Sequence, residues 1–281
     1  MIKIPEPDSC TVVADWIELY VATTGETISK AKLSSLLEDS SGEETRESFI
    51  SDIWRELNNR KKLYKNIPFV IDEYAIEPAE DQQPKIAYIA CLLIALYGPV
   101  NSSINVAKLF ERLSCLAVKQ YLDGEGIVFG WPLEPGEETS IRERIIQVAS
   151  RLNERYVESP RETYKDRGVD VIAWKPFSES RTSQVIILLQ CASGKDWRNK
   201  TTDLPINAWE QYIHWSNNPI KAFAVPCVIP SRDWHEVSKE GGILFDRIRI
   251  TNLIGALESK DKCFAGEVAA FIKNRLEEAS N

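Results

Sequence analysis

Soft metal ligands are scarce in this sequence. It has two histidines, His214 and His235, and its six cysteines (Cys10, Cys91, Cys115, Cys191, Cys227 and Cys263) are widely spaced, with no CxxC pair. A structural zinc site or a disulfide framework is therefore not expected, and the cysteines read as reduced, mostly buried small residues. Any catalytic metal would need oxygen ligands, which points to Mg2+, with Mn2+ as a similar hard cation. Long apolar runs are also missing. The stretches Ile86–Leu96 and Val185–Leu189 reach about half the length of a bilayer-spanning segment or less, and the N-terminus lacks the basic-then-apolar pattern of a secretory leader. A cytoplasmic protein with no membrane partner is the expectation. There is no internal repeat and no low-complexity tract. Nor is there an excess of positive charge, since the net charge is −8, which argues against non-specific coating of nucleic acid.

What is present is enough apolar residue, 43% of 281, to build a sizeable core, more comfortably in two domains than in one. The charge is uneven. Residues 1–100 carry 10 Lys+Arg against 17 Asp+Glu, whereas residues 101–281 carry 24 against 25, so the second part can still place cations around a phosphate.

The acidic first part reads as helices: one capped by Asp8 or Ser9 and running through Val12, Trp16 and Tyr20, a second over Thr27–Glu38, and a third over Glu43–Tyr64. Gly25 and Ser40-Ser41-Gly42 punctuate them. The proline-bearing, acidic segment Asn66–Pro84 suits a loop or a short extended stretch before an apolar helix at Lys85–Tyr97. An all-helical domain over 1–100 is expected, serving a partner or target recognition. The local basic patch Arg60-Lys61-Lys62 with Lys65 suits a solvated helix end as well as a DNA contact.

From Ser102 the pattern changes. A helix through Val106, Phe110 and Tyr121 precedes the short apolar run Ile127–Phe129, and a second amphipathic helix spans Ser140–Arg155. Strands are expected at Gly168–Trp174 and Gln184–Cys191, a Trp-rich helical segment at Ile206–Trp215, and an extended run at Ala222–Ile229 whose Pro226 must lie at a bulge or beyond the paired stretch. A strand-like Gly242–Ile250 and terminal helices complete a domain over 101–281. The fold class is α/β, helices packed on a small mixed sheet, following the helical N-terminal domain.

Asp170 is the lone acid in the apolar run Val169–Trp174, and such an acid is costly unless it lies in a cleft, accepts hydrogen bonds or binds a cation. A residue that merely begins the strand and caps a turn is the alternative. The second strand ends in Gln190-Cys191-Ala192-Ser193-Gly194-Lys195. If the two strands form a hairpin, Asp170 and Gln190 meet. A carboxylate and an amide oxygen can then hold a divalent cation while a nearby lysine stabilises developing charge. A glutamine bonded to backbone and a surface lysine are the plainer reading of the same residues.

Phe110-Glu111 on a helix, then Asp170, then Gln190 followed by a lysine, resembles the PD-(D/E)xK, or restriction-endonuclease-like, superfamily over about residues 101–230, and in particular its branch in bacterial restriction and anti-phage systems. The resemblance implies a mixed sheet with flanking helices and a Mg2+-dependent DNA endonuclease, with double-stranded DNA as substrate. It places Asp170, Gln190 and Glu111 at the metal, with Glu143 and Glu154 as other candidates for the helix-borne acid, and Lys195 as the catalytic cation. The sequence departs from the family pattern at Gln190, where an acid is usual, and at Ala192, where lysine is usual. A dimer or an assembly with a defence-complex protein is expected for duplex cleavage. The competing expectation is an adaptor that keeps the fold, has lost the chemistry, and binds DNA or a protein.

Among other conspicuous residues, Trp197, Trp209, Trp215 and Trp234 could stack on bases but suit a core better. His214 and His235 have no partner pattern. Asp246-Arg247-Ile248-Arg249 would carry arginines on a late strand, where an internal salt bridge is simpler than a phosphate contact.

Overall fold

The computed structural model describes residues 2, 4, 9–37, 43–65, 68–80, 85–98, 105–133, 136, 140–161 and 166–280. The proposed cap Asp8 and the spacer Ser40-Ser41-Gly42 lie outside them. The chain divides into two compact units, Met1–Val100 with Gly255–Asn281, and Asn101–Ile254. The break after Val100 falls where the charge balance shifts, but the C-terminal tail groups with the first unit rather than with residues 101–254.

In the first unit, helix α1 (Cys10–Thr24) begins at Ser9, whose hydroxyl accepts the N–H of Val12 at 3.3 Å, and ends at Gly25, where φ is +71°. Strand β1 (Ile28–Ser29) leads into α2 (Lys30–Leu36), and α3 spans Glu43–Lys61. The segment expected as a loop forms a hairpin of β2 (Phe69–Ile71) and β3 (Ala75–Pro78), to which β1 adds antiparallel. Asp72 drives the turn, its Oδ1 accepting the N–H groups of Tyr74 and Ala75, each at 2.7 Å. The unit is therefore a helical region with a three-stranded sheet, not all-helical. Helix α4 (Ile86–Tyr97) follows and stops at Gly98.

Arg60 ties the first unit together. It is 1% exposed and meets Asp15 at 2.6 Å, Glu18 at 3.2 Å and Glu56 at 2.8 Å. Glu18 also accepts hydrogen bonds from Tyr64 and Tyr88. The basic patch noted in the sequence thus begins with a buried arginine.

The second unit opens with α5 (Val106–Leu122), capped by Asn105, whose Oδ1 accepts the N–H of Lys108 at 3.1 Å. Then come β4 (Glu125–Val128), α6 (Ile141–Arg151), β5 (Arg155–Tyr156), β6 (Val171–Lys175) and β7 (Val185–Cys191). They are followed by α7 (Ile206–Trp209), β8 (Ile213–His214), β9 (Ile220–Ala224), α8 (Trp234–Gly241), β10 (Ile243–Phe245) and α9 (Arg247–Ile254). One mixed sheet runs in the order β10-β9-β7-β6-β4, with β4–β6 and β6–β7 antiparallel, and β7–β9 and β9–β10 parallel. A mixed α/β fold is what the sequence implied.

Helix α5 lies close against β4 and β6. At Gly126 a Cβ would fall 2.9 Å from Lys119 Cγ and 3.3 Å from Cys115 Sγ, so the helix can approach this strand only over a glycine. A separate core joins Ile145 and Val148 of α6 and Leu152 just after it to Ile172, Trp174, Ile186 and Leu188 of the sheet. Trp209 and Trp215 are buried in that core, and Trp197 in another cluster, as the packing reading expected.

Several boundaries moved, two of them with visible causes. Strand β6 starts later than Gly168 because Arg167 and Gly168 adopt left-handed φ of +52° and +78°, a turn closed by Asp166 Oδ1 accepting the Gly168 N–H at 3.0 Å. The strand-like stretch to Ile250 stops at Phe245, because Asp246 Oδ1 accepts the Arg249 N–H at 3.0 Å and starts α9. The segment Ile206–Trp215 is helical only over its first four residues and then pairs, as β8, with β5. Pro226 lies beyond the paired part of β9, as its missing N–H requires.

In the last segment α10 (Lys262–Ser280) packs on α4, with Arg275 donating to the carbonyl of Gly98 at 2.9 Å. No helix among the described residues is long and apolar enough to cross a membrane.

Candidate active site

Asp170 immediately precedes β6. Its N–H donates to Leu189 O at 3.0 Å, and its carbonyl accepts two successive donors, Phe129 N–H at 2.7 Å and Gly130 N–H at 3.0 Å. Two residues facing one is the geometry of a bulge, and it brings the chain after β4 against Asp170. The last paired couple of β6 and β7 is Val171 with Leu189, so Asp170 and Gln190 are the residues next to that couple at the same end of the two strands. The carboxylate Oδ2 accepts the N–H of Cys191 at 2.6 Å.

Glu111 comes to the same place from α5, one residue after the fully buried Phe110, and is itself 4% exposed. A Cβ built on Gly130 would lie 2.7 Å from Asp170 Oδ1 and 2.7 Å from Glu111 Oε2. The two carboxylates therefore converge on bare backbone, and any side chain at this position would collide with both.

Lys108, one helical turn before Glu111, completes the cluster. Its ammonium donates to Glu111 Oε2 at 2.6 Å and to the Gly130 carbonyl at 2.7 Å. On the preceding carbonyl, Phe129 O, sits the guanidinium of Arg144, which also stacks 4.2 Å from the Phe129 ring. Two buried cations thus grip consecutive carbonyls and fix the segment that the carboxylates press on.

The electrostatics follow from this crowding. Burial first, and then the negative charge of Glu111, push the Asp170 carboxyl up from 3.8 to about 8, against the opposing pull of the Cys191 N–H and Lys108. Burial and the same two carboxylates hold the Cys191 thiol well above its usual range, so it stays protonated. The amide oxygen of Gln190, a residue 6% exposed, has no hydrogen-bond partner among the described residues, and leaving such a group unmatched costs about 1–3 kcal/mol.

Of the residues expected from sequence, the structure brings Asp170 and Glu111 together and sets Gln190 at the same end of the β6–β7 pair as Asp170. It does not bring Lys195 to them. Lys195 is exposed in the turn after β7, with no hydrogen bond or ion pair to any described residue. Position 192, two residues after Gln190, is an alanine 1% exposed in a cluster with Trp197, Phe223 and Val225. The other helix acids serve elsewhere. Glu143 is exposed, and Glu154 accepts from Ser183 N–H at 3.4 Å, Ser216 N–H at 3.1 Å and Ser216 Oγ at 3.0 Å. The arginines after Asp246 lie on α9, where Arg247 is fully buried and Arg249 donates to Leu244 O at 2.8 Å.

Sequence reasoning missed Lys108, Arg144 and Gly130. The usable signal was Lys108 itself, three residues before Glu111 on a helix whose inner face was already assigned. Among the described residues no group of three or more His, Cys, Asp or Glu side chains is disposed to hold a metal ion. The cluster instead offers two carboxylates, those of Asp170 and Glu111. These are hard oxygen donors of the kind Mg2+ or Mn2+ takes, and the raised Asp170 carboxyl fits a cluster short of positive charge. No family model, curated protein or solved structure matches the chain.

Proposed function

We propose that the unit Asn101–Ile254 is a metal-dependent endonuclease that hydrolyses phosphodiester bonds in double-stranded DNA, with a divalent cation, Mg2+ or Mn2+, held by Asp170, Glu111 and the Gln190 amide oxygen. One observation carries the reading: two acids from separate elements are buried against Gly130, and that burial, with the charge of Glu111 added to it, lifts Asp170 to about 8. Perturbation of this size, from burial together with a specific charge, marks functional sites more often than structural ones. A bound divalent cation would polarise the phosphate and lower the pKa of a water molecule at the site. The protein's own part is geometric. The bulge at Phe129–Gly130 sets the distance between the acids, Cys191 N–H orients Asp170, and Phe110 anchors the helix carrying Glu111. The resemblance to restriction-endonuclease-like proteins supports the choice of DNA and implies a setting in bacterial restriction or anti-phage defence, with a homodimer or a defence-complex partner completing duplex cleavage.

Incubation of the purified full chain with plasmid and linear DNA in Mg2+ or Mn2+ tests this. Wild type should cut, and Asp170→Ala should abolish cutting with an unchanged far-UV circular dichroism spectrum. A wild type inert with both metals, with all DNA forms and in the presence of its cellular partner, refutes the nuclease. That result would favour the second reading, a fold-retaining adaptor, to which the exposed Lys195 and the core-packed Ala192 lend support.

A further inference from the structure

We propose that Lys108, rather than Lys195, supplies the cation that neutralises charge building on the phosphate at this site, an inference that rests on the nuclease reading. Lys108 is the one lysine buried among the described residues, at 3% exposure. A buried ammonium is costly unless its surroundings repay desolvation, and an ion pair three residues apart on a helix normally forms on the surface, where it stabilises by only a few tenths of a kcal/mol. Here both partners are withdrawn from water, with side-chain exposures of 3% and 5%. The ammonium has three N–H donors, and Glu111 Oε2 and Gly130 O take two. The third remains for an oxygen of a bound phosphodiester.

The position is fixed from both sides, by the Asn105 cap on the Lys108 N–H and by the carbonyl of Gly130, the residue against which Asp170 and Glu111 converge. Lys195 has no comparable restraint, and position 192 is filled by apolar packing that leaves no place for an ammonium.

In the hydrolysis, a water oxygen bonds to phosphorus and the bond from phosphorus to the leaving sugar oxygen breaks. The leaving oxygen takes the electron pair and a proton from solvent, and the attacking water gives its proton to solvent. Lys108 stays protonated throughout and donates to a non-bridging oxygen, where negative charge accumulates.

The test compares wild type, Lys108→Met, Lys108→Arg and Lys195→Ala in single-turnover cleavage, with Mn2+ binding measured separately by calorimetry. Loss of one such donor lowers the rate on the order of 100- to 1000-fold. Lys108→Met should show that loss while still binding Mn2+, and Lys108→Arg should recover part of the rate. If Lys108→Met does not fold, Lys108→Gln, whose amide can still donate to Gly130 O, replaces it. Cleavage by the Lys108 variants within about threefold of wild type, or a large loss in Lys195→Ala alone, overturns the assignment. Absence of Mn2+ binding by wild type refutes the nuclease reading itself, and Lys108 with it.

Discussion

In the absence of divalent cations, Asp170→Asn should make the protein more stable at pH 8. The carboxyl titrates at about 8 in the folded chain against 3.8 for the ordinary group. At 1.36 kcal/mol per unit this corresponds to ~6 kcal/mol as an upper bound. The folded-state value is the raised one, so the folded protein holds the proton more tightly than the unfolded chain. Its contribution is fully present below pH 3.8, declines as pH rises, and is lost once pH passes about 8. Asparagine keeps an oxygen for the Cys191 N–H and carries no charge to desolvate. The advantage of the variant should therefore be near zero at pH 4 and grow to several kcal/mol at pH 8. Guanidinium unfolding in EDTA at pH 4, 6 and 8, followed by circular dichroism, measures it. Saturating Mn2+ should then stabilise wild type alone, by ~2.7 kcal/mol at a hundredfold excess over Kd. A variant no more stable than wild type at pH 8, or a difference that does not vary with pH, refutes the reasoning.

Gly130→Ala places a methyl group 2.7 Å from both Asp170 Oδ1 and Glu111 Oε2; it should destabilise by about 1–3 kcal/mol and abolish the thermal shift produced by Mn2+. Glu154→Gln removes charge from an acceptor of three hydrogen bonds and should cost about 1 kcal/mol in a melt while leaving the Mn2+ shift intact, which separates this acid from Glu111. Arg60→Met removes the buried cation that Asp15, Glu18 and Glu56 share and should destabilise the first unit by about 3–5 kcal/mol, read as a lowered denaturation midpoint.

Much of the second unit could be read from the chain because its periods are strong. Ser140, Asn105 and the apolar spacing of α5 and α6 locate those helices, and the runs before and after the Pro176–Ser183 turn locate β6 and β7. That hairpin is what makes Asp170 and Gln190 neighbours. Three features resisted, each for a physical reason. The β2–β3 hairpin depends on one Asp72 turn within a proline-flanked acidic stretch. The start of α9 depends on a single cap after an apolar run that has the look of a strand. Lys108 was hidden because a lysine on a helix is ordinarily solvated, and only the bulge that swings Gly130 over α5 buries it. Lys195 lies in the exposed segment after Ser193-Gly194, where closeness to Gln190 along the chain does not by itself bring its ammonium to the carboxylates.

The return of the tail to the first unit also orders events during synthesis. Helix α10 cannot meet α4 until the whole of Asn101–Ile254 has left the ribosome. At about 5–20 residues per second, those ~150 residues take roughly 8–30 s. The unit that bears the carboxylates can therefore fold while the first still lacks α10, and a chain interrupted between Ile254 and Lys262 would hold a complete second unit and an incomplete first one.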